Sequence, residues 1–428
     1  MSTEAEFSNP RIKMMKKVHY AWFITLGCLI VMFYGLGLGF NCVSVFLNPL
    51  MESINVSNTL RSSITIFYQS GSVLALLTVG HIIDRIGVRR TIFISGICMA
   101  AGYIFLSAAK SVLLCYGAML VIGIGYGAGA IVPCSLLLTT WFSQKKGFAL
   151  GIATCGSGIA TIFFPSIISN IITEWSVQRA FVIHGMMIAA LAIIAFLILR
   201  DTPEEKGLKP YGFSQKASED NQEAPKVKLK QEIKDPKFIL MSVAIVLIGM
   251  IISPVVTHMS PIVSQSGYSV SVASQAVSAY GIAMILGKPL YGAIVDKVGV
   301  LRSNIYIYSF LILSMIAGLM LYGTSIPALA FTILFGIGGA PIIPVGLPIW
   351  AAEMFGKNNM GNLFAMLKLC SSLGGTIGAV LPGIIIDRTG SYTDLFIIYI
   401  AFIVCAFCIM QYLFIKKKKH LLIVESKT

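Results

Sequence analysis

The sequence predicts an all-α integral membrane protein with twelve transmembrane helices in two six-helix halves. Three observations predict this fold class. Hydrophobic residues make up 56% of the 428 residues and charged residues only 12%. Long apolar runs recur along the chain, and one glycine-containing motif returns at a constant offset. Soluble domains carry about a quarter charged residues, so a chain this apolar needs lipid as its solvent.

Apolar runs of about 18 residues or more, nearly free of charge, predict membrane-spanning helices. The first run is too long for a cleaved signal peptide and is expected to remain as the first span. The twelve predicted spans cover residues 20–47, 62–83, 91–109, 113–140, 147–173, 179–200, 238–265, 272–295, 301–322, 327–353, 360–386 and 393–415.

A polar segment separates the sixth predicted span from the seventh. It is rich in Lys, Glu, Pro and Ser, a composition that cannot bury a core and predicts a flexible linker. The predicted organisation is therefore an N-terminus at 1–19, a six-helix bundle at 20–200, a linker at 201–237, a second bundle at 238–415 and a basic tail at 416–428.

The net charge of +14 is concentrated on one side of the predicted membrane domain. Leaving out the long linker, 17 Lys and Arg residues fall on the side of the termini and only 4 on the other. Positive residues stay in the cytoplasm, so both termini are expected to be cytoplasmic, in a multi-pass protein of the plasma (inner) membrane. The excess charge is therefore a topology signal, and nucleic acid is not an expected partner.

One motif follows both the second and the eighth predicted span. It reads GHIIDRIG over 80–87 and GAIVDKVG over 292–299, an offset of 212 residues. The residues of interest are Gly80, Asp84, Arg85 and Gly87 in the first copy and Gly292, Asp296 and Gly299 in the second. The GIG of span 4 returns in span 10 at nearly the same offset, as expected for a duplicated six-helix unit, which is typical of secondary transporters.

The glycines of this motif allow a tight turn, and Asp84 and Arg85 can pair or cap helix ends beside it. The motif resembles the cytoplasmic loop signature of the major facilitator superfamily. The resemblance implies the twelve-helix fold of that superfamily and a gating role for the motif. Glycine and proline in spans 4 and 10 predict that these helices pack closely and can break or bend.

Two lysines within the predicted spans are the charged residues that say most about function. Lys288 in span 8 and Lys368 in span 11 are the basic residues that fall neither in loops nor in termini, and the 18 acidic residues lie in termini, loops or helix ends. At 1.5 Å per residue, both lysines lie about 12 to 15 Å from the cytoplasmic ends of their helices, near the bilayer midplane. An unpaired charge there is costly, so the sequence predicts a water-filled cavity that receives an anionic ligand. The alternative is that each lysine is neutral or hydrogen-bonds helix carbonyls.

A closer resemblance arises around these residues. The pattern from Lys288 through Gly292 to Asp296, and the lysine-bearing span 11, are similar to monocarboxylate transporters and oxalate–formate exchangers. This resemblance implies that Lys288 and Lys368 bind a substrate carboxylate and that Gln69 can hydrogen-bond it. Asn41 stands where those exchangers carry an aromatic residue, which implies a differently shaped or larger pocket.

The expected function is secondary active transport of small organic anions, mono- or dicarboxylates such as oxalate, formate, lactate or pyruvate, by a protein that works as a monomer. Met284 stands where proton-coupled relatives carry an acid, which favours exchange. Proton-coupled symport and a non-transporting anion sensor remain alternatives. We expect no enzyme activity, cofactor or metal. Several aromatic side chains are cavity candidates that packing explains at least equally well: Tyr34, Tyr68, Tyr126, Tyr280 and Trp350. His184 and His258 are candidate proton carriers, but a hydrogen-bonded helix histidine is the favoured interpretation of both.

Overall fold

The structure is a computed structural model, and it describes residues 19–43, 45, 46, 49, 50, 58–213, 229–321, 325–356, 360–379 and 381–425. Within these residues the chain forms an all-helical bundle of twelve long helices. The predictions for residues 1–18, 214–228 and 426–428, which are parts of the termini and the linker, lie outside the described residues.

The first half contains α1 to α6. Their bounds are Ala21–Met32 for α1, continued by the π-helical segment Phe33–Asn41; Asn58–Ile86 for α2; Val88–Ser107 for α3; Val112–Gly129 and Ile131–Trp141 for α4; Lys146–Glu174 for α5; and Val177–Ile198 for α6.

The second half contains α7 to α12. The bounds are Pro236–Gln265 for α7; Val270–Leu319 for α8 and α9 together, divided at Gly299; Ile326–Gly338, Ile342–Gly346 and Leu347–Phe355 for α10; Met360–Gly378 and Leu381–Thr389 for α11; and Thr393–Glu425 for α12.

Ten stretches of the described residues are long and apolar enough to cross a membrane. One of them, Gln275–Leu319, contains both α8 and α9. The first part of α11 is not among them, and it carries Lys368, two serines and a threonine. We use "basic end" for the end of the bundle that holds the α2–α3, α4–α5 and α8–α9 connections.

The interior of α1 departs from the predicted regular helix. Its glycine-rich part adopts the wide π form over Phe33–Asn41, which alters the helical hydrogen-bond pattern. The Tyr103 hydroxyl donates to the carbonyl oxygens of Leu38 and Gly39 at 3.3 and 3.2 Å, and the Nε2 atom of His184 lies 3.3 Å from the Leu38 carbonyl. His184 is therefore a hydrogen-bonded histidine of the helix core, which supports a structural interpretation of this residue over a functional one.

The predicted breaks in spans 4 and 10 are present. The helix of α4 is interrupted at Ala130, where φ is −98° and ψ is −94°. The equivalent part of α10 contains the π-helical turn Ile342–Gly346, with prolines at 341, 344 and 348. Each break removes regular backbone hydrogen bonds in the middle of a span, which permits bending there.

The start of the predicted linker is ordered rather than flexible. Its residues 201–213 pack on the basic end of the first half, where the backbone N–H of Tyr211 donates to the Trp141 carbonyl at 2.8 Å. The Tyr211 ring contacts Trp22 and Phe142, and this aromatic packing compensates for the polar composition that suggested disorder. At the other end of the chain, α12 remains helical to Glu425, through the predicted basic tail, because lysine is a good helix former.

Candidate functional site

Lys288 lies on α8 and is directed at α5 of the other half. Its side chain is only 2% exposed. The Nζ atom donates to the carbonyl oxygen of Thr154 at 3.1 Å and to the hydroxyl oxygen of Ser157 at 3.0 Å. Among the described residues no carboxylate pairs with it. The lysine is therefore buried between α8 and α5, where a helix carbonyl and a hydroxyl of the other half accept its hydrogen bonds. Hydrogen bonding to a helix carbonyl is the alternative that the sequence left open for this lysine.

The helices α5 and α8 form a seam that fixes the position of Lys288. At the basic end their backbones touch, because a Cβ atom on Gly292 would overlap the carbonyl of Gly147. Asp296 accepts hydrogen bonds from the N–H groups of Gly147 at 2.9 Å and Phe148 at 2.8 Å. These N–H groups belong to the first turn of α5, where donors lack helical partners and negative charge is stabilising. The second copy of the loop motif thus joins the two halves.

A row of small polar groups on α5 continues from Lys288 towards α1. The Thr161 hydroxyl donates to the Ser157 carbonyl at 2.7 Å, and the Asn41 amide donates to the Thr161 hydroxyl at the same distance. Asn41 is therefore linked to the neighbourhood of Lys288 through α5. Sequence reasoning did not single out Ser157 or Thr161, although with Thr154 they share one helical face, a periodicity that could have revealed them.

Lys368 occupies the middle of α11. Its Nζ atom donates to the Ser372 hydroxyl at 3.0 Å, and its side chain is partly exposed within the bundle. Gly361 lies seven residues earlier, so the two share a face of the helix. A Cβ atom on Gly361 would lie 3.3 Å from the Leu136 side chain of α4. The face that carries Lys368 is consequently directed towards the first half.

Gln69 lies on α2 and is exposed. It precedes Gly80 by eleven residues, which is about three helical turns, so the two lie on one face. Gly80 packs against Asn362 of α11, which places Gln69 on the side of α2 that faces the second half, further from the basic end. No hydrogen bond joins Gln69 to either lysine within the part of the chain that the structure describes.

The first copy of the loop motif is built differently from the second. Asp84 and Arg85 are both exposed, and the predicted pairing between them is not among the contacts of the described residues. Gly87 makes the turn with φ of 85°. The carboxylate that caps the next helix belongs to Asp201, which accepts a hydrogen bond from the N–H of Arg89 at 2.7 Å. Asp201 comes from the predicted linker, and nothing in its local sequence indicated this role.

The aromatic candidates divide into two groups. Trp350 is fully buried, and its indole N–H donates to Asn304 at 3.0 Å, so it is a packing residue. Phe40, in contrast, is 37% exposed and stacks on Tyr126 with ring centroids 5.2 Å apart. Tyr68 contacts both rings, and its buried hydroxyl has no hydrogen-bond partner among the described residues. This cluster, adjacent to Asn41 in the chain, is an aromatic surface in the first half.

The chemistry of the arrangement is that of binding. Lys288 donates to a carbonyl and a hydroxyl of the first half, whereas Lys368 donates to a hydroxyl of its own helix. Ammonium groups form short, strong hydrogen bonds with carboxylates and phosphates. Such a site can attract and orient an anion between two bodies that move relative to each other.

Comparison with known proteins places this arrangement in a family. The Major Facilitator Superfamily profile matches residues 27–379 and 259–427. The chain is 25% identical over 390 residues to the MFS transporter asaE of Aspergillus flavus, covering 88% of this chain and 82% of that protein. It is 22% identical over 417 residues to the human monocarboxylate transporter 12, covering 91% of this chain and 78% of that protein.

Solved structures share the fold at low sequence identity. The proton:xylose symporter XylE superposes with a TM-score of 0.74 at 12% identity, over 92% of this chain and 95% of that one. The human organic anion transporter MFSD10 superposes with a TM-score of 0.69 at 15% identity, over 92% of this chain and 99% of that one. The profile match, the relatives and the fold agree that the chain belongs to the major facilitator superfamily of membrane transporters.

Proposed function

We propose that this protein is a secondary carrier of small organic anions, mono- or dicarboxylates of the size of oxalate, formate, lactate or pyruvate. It works by alternating access, as a monomer, in the plasma membrane, with its basic end in the cytoplasm. Exchange of one anion for another is the mode that the residues favour. The observation that carries the proposal is the pair Lys288 and Lys368, deep in the bundle and held by neutral oxygen atoms.

The proposal has an energetic basis, because it costs free energy to place these two ammonium groups inside the membrane. An ammonium group near the bilayer midplane costs on the order of 3 kcal/mol by insertion scales. Serine hydroxyls and one carbonyl offset part of that cost, but a carboxylate forms hydrogen bonds about twice as strong with a charged donor. An anion between α8 and α11 is therefore a better partner for Lys288 and Lys368 than any contact they make in this conformation.

Gln69 and Asn41 complete the proposed site from the first half. Gln69 is exposed on the face of α2 that is turned towards the second half, and it offers both an amide donor and a carbonyl acceptor. Asn41 lies at the end of the row of polar groups that leads to Lys288. These two residues, with the aromatic surface of Phe40, Tyr68 and Tyr126, would contact the uncharged part of the substrate.

The names of two relatives support the same substrate class. One is described as a monocarboxylate transporter and one neighbour in structure as an organic anion transporter. The relatives also include proteins named only as MFS-type transporters, so the proposal depends on the lysines rather than on the names.

Uptake into proteoliposomes tests the proposal. Vesicles containing the purified chain are loaded with oxalate, formate, lactate or pyruvate, or left empty, and uptake of each labelled acid is followed. We expect uptake that requires an anion inside the vesicle. A failure of all small carboxylates to enter or compete would contradict the proposal, and binding without uptake would identify an anion sensor instead.

A proton gradient distinguishes exchange from symport. With no counter-anion inside, an imposed gradient is expected to drive no uptake, since the resemblance puts Met284 where proton-coupled monocarboxylate transporters carry an acid. Vigorous uptake under that gradient would establish proton-coupled symport.

A further inference from the structure

We infer that Ser157 and the Thr154 carbonyl form a tether that holds Lys288 when the site is empty, and that an anion must release Lys288 before the halves can reorient. The inference rests on the proposed function, because it concerns the residue to which the substrate is assigned. It assigns a positioning role to Ser157, a residue on the opposite half from the lysine.

The hydrogen bonds of Ser157 are directional in a way that suits this role. Its hydroxyl donates to the Thr154 carbonyl at 2.9 Å, so its proton is committed within α5. The oxygen atom is left as an acceptor, and Lys288 donates to it at 3.0 Å while also donating to the Thr154 carbonyl. Two of the three donors of the ammonium group are therefore directed at a single turn of α5.

The tether crosses the boundary between the halves. Below it, the seam continues to the basic end through the close approach of Gly151 to Pro289, where a Cβ atom would lie 2.5 Å from the proline Cα, and ends at Asp296 on the first turn of α5. Opening the basic end separates α5 from α8 along this line. Separation must break both the contacts of Asp296 and those of Lys288.

The two polar contacts of the seam respond differently to a substrate. Asp296 lies at the basic end, eight residues and about 12 Å from Lys288 along α8, so a small anion at the lysine does not reach it. Lys288 is the contact that an anion can replace. A ligand shifts a conformational equilibrium only by binding one state better than another, and exchanging neutral oxygens for a carboxylate supplies that difference.

The tether affects the empty carrier and the loaded carrier differently. The empty carrier retains the tether and reorients slowly, whereas the loaded carrier has already exchanged it for substrate contacts. Net efflux requires the empty carrier to return, but exchange does not. Tethered Lys288 thus gives a physical basis for a carrier that exchanges anions faster than it releases them.

Net efflux and exchange are measured with Ser157→Ala, Ser157→Thr and the matched control Ser135→Ala in proteoliposomes. Ser135 is also buried, but its hydroxyl donates to the Ile131 carbonyl within its own helix. We expect Ser157→Ala to raise the ratio of net efflux to exchange about tenfold, since hydrogen bonds to charged groups are worth enough for such a change. Ser157→Thr and Ser135→Ala are expected to keep the wild-type ratio.

A second measurement needs no transport. Hydrogen–deuterium exchange of the empty protein in nanodiscs reports the amides of Gly147 and Phe148, which are protected while the seam is closed. Ser157→Ala is expected to increase their exchange about tenfold, and Ser135→Ala to leave it unchanged. Wild-type ratios and wild-type amide protection in Ser157→Ala would overturn the tether. Should no carboxylate be transported at all, the proposed function fails, while amide protection still decides whether Ser157 closes the seam.

Discussion

The two halves share a fold and a loop motif, but they distribute charge differently. The second half carries Lys288 and Lys368, whereas the first half presents hydroxyls, amides and aromatic rings at the same level. The motif also differs: Asp296 of the second half joins the first turn of α5, while Asp84 of the first half is exposed. Duplication supplied a symmetric frame, and the chemistry of the site depends on the departures from symmetry.

The largest effect is expected from removing the charges of the second half. Lys288→Ala and Lys368→Ala should each lower carboxylate exchange at least about 100-fold, because each loses charge-assisted hydrogen bonds worth on the order of 3 kcal/mol. Exchange is measured in proteoliposomes at equal protein content. The matched control is Lys110→Ala, which removes an exposed loop lysine. Wild-type exchange in either deep variant would end the assignment of that lysine.

The next effect is expected from substituting the glycines of the motif, which should matter more in the second copy than in the first. Gly292→Ala places a methyl group against the Gly147 backbone, which cannot yield easily. Overpacking of this kind costs about 1–3 kcal/mol, and it should raise the hydrogen exchange of the first turn of α5 at least about fivefold. The equivalent change Gly80→Ala meets mainly the side chain of Asn362 and should have a smaller effect. Equal effects of the two substitutions would show that both motifs are packed alike.

Substitution of the motif aspartates is also expected to have a larger effect in the second copy than in the first. Asp296→Asn weakens two charge-assisted hydrogen bonds to the start of α5 and should favour opening of the basic end by about 1.5 kcal/mol, roughly tenfold. Asp84→Asn alters an exposed side chain and should change the equilibrium by less than about 0.5 kcal/mol. The same amide exchange measurement applies to both. A larger effect of Asp84→Asn would reverse the functional order of the two copies.

The smallest effect concerns the cap that the first half takes from the linker. Asp201→Ala removes the acceptor for the N–H of Arg89 at the start of α3. Loss of a helix cap costs about 1 kcal/mol, which lowers the melting temperature of a large domain by about 2 °C. Thermal unfolding in detergent measures it, with exposed Glu204→Ala as the control. An unchanged midpoint would mean that water replaces the carboxylate at this turn.

Some features of the site follow from residues close together in the chain, and others depend on residues that are distant in the sequence. Lys288 and Lys368 lie within α8 and α11, and their depth in the membrane stays a prediction from helix rise and distance to a turn. The partner of Lys288 could not be predicted, since Ser157 is 131 residues away in the chain and on the other half. The role of Asp201 was equally hidden, because it arises from contact between α3 and the start of the linker.

The sequence by itself determined the solvent of this protein, the number of its helices, its internal repeat and the two lysines that fall inside predicted spans. These properties follow from composition and periodicity, which act along the chain. Only the tertiary structure decided the wide turn in α1, the seam between α5 and α8, and the neutral oxygens that hold Lys288. Those features depend on how closely two helices approach, and glycines and hydroxyls reveal their partners only once the bundle is assembled.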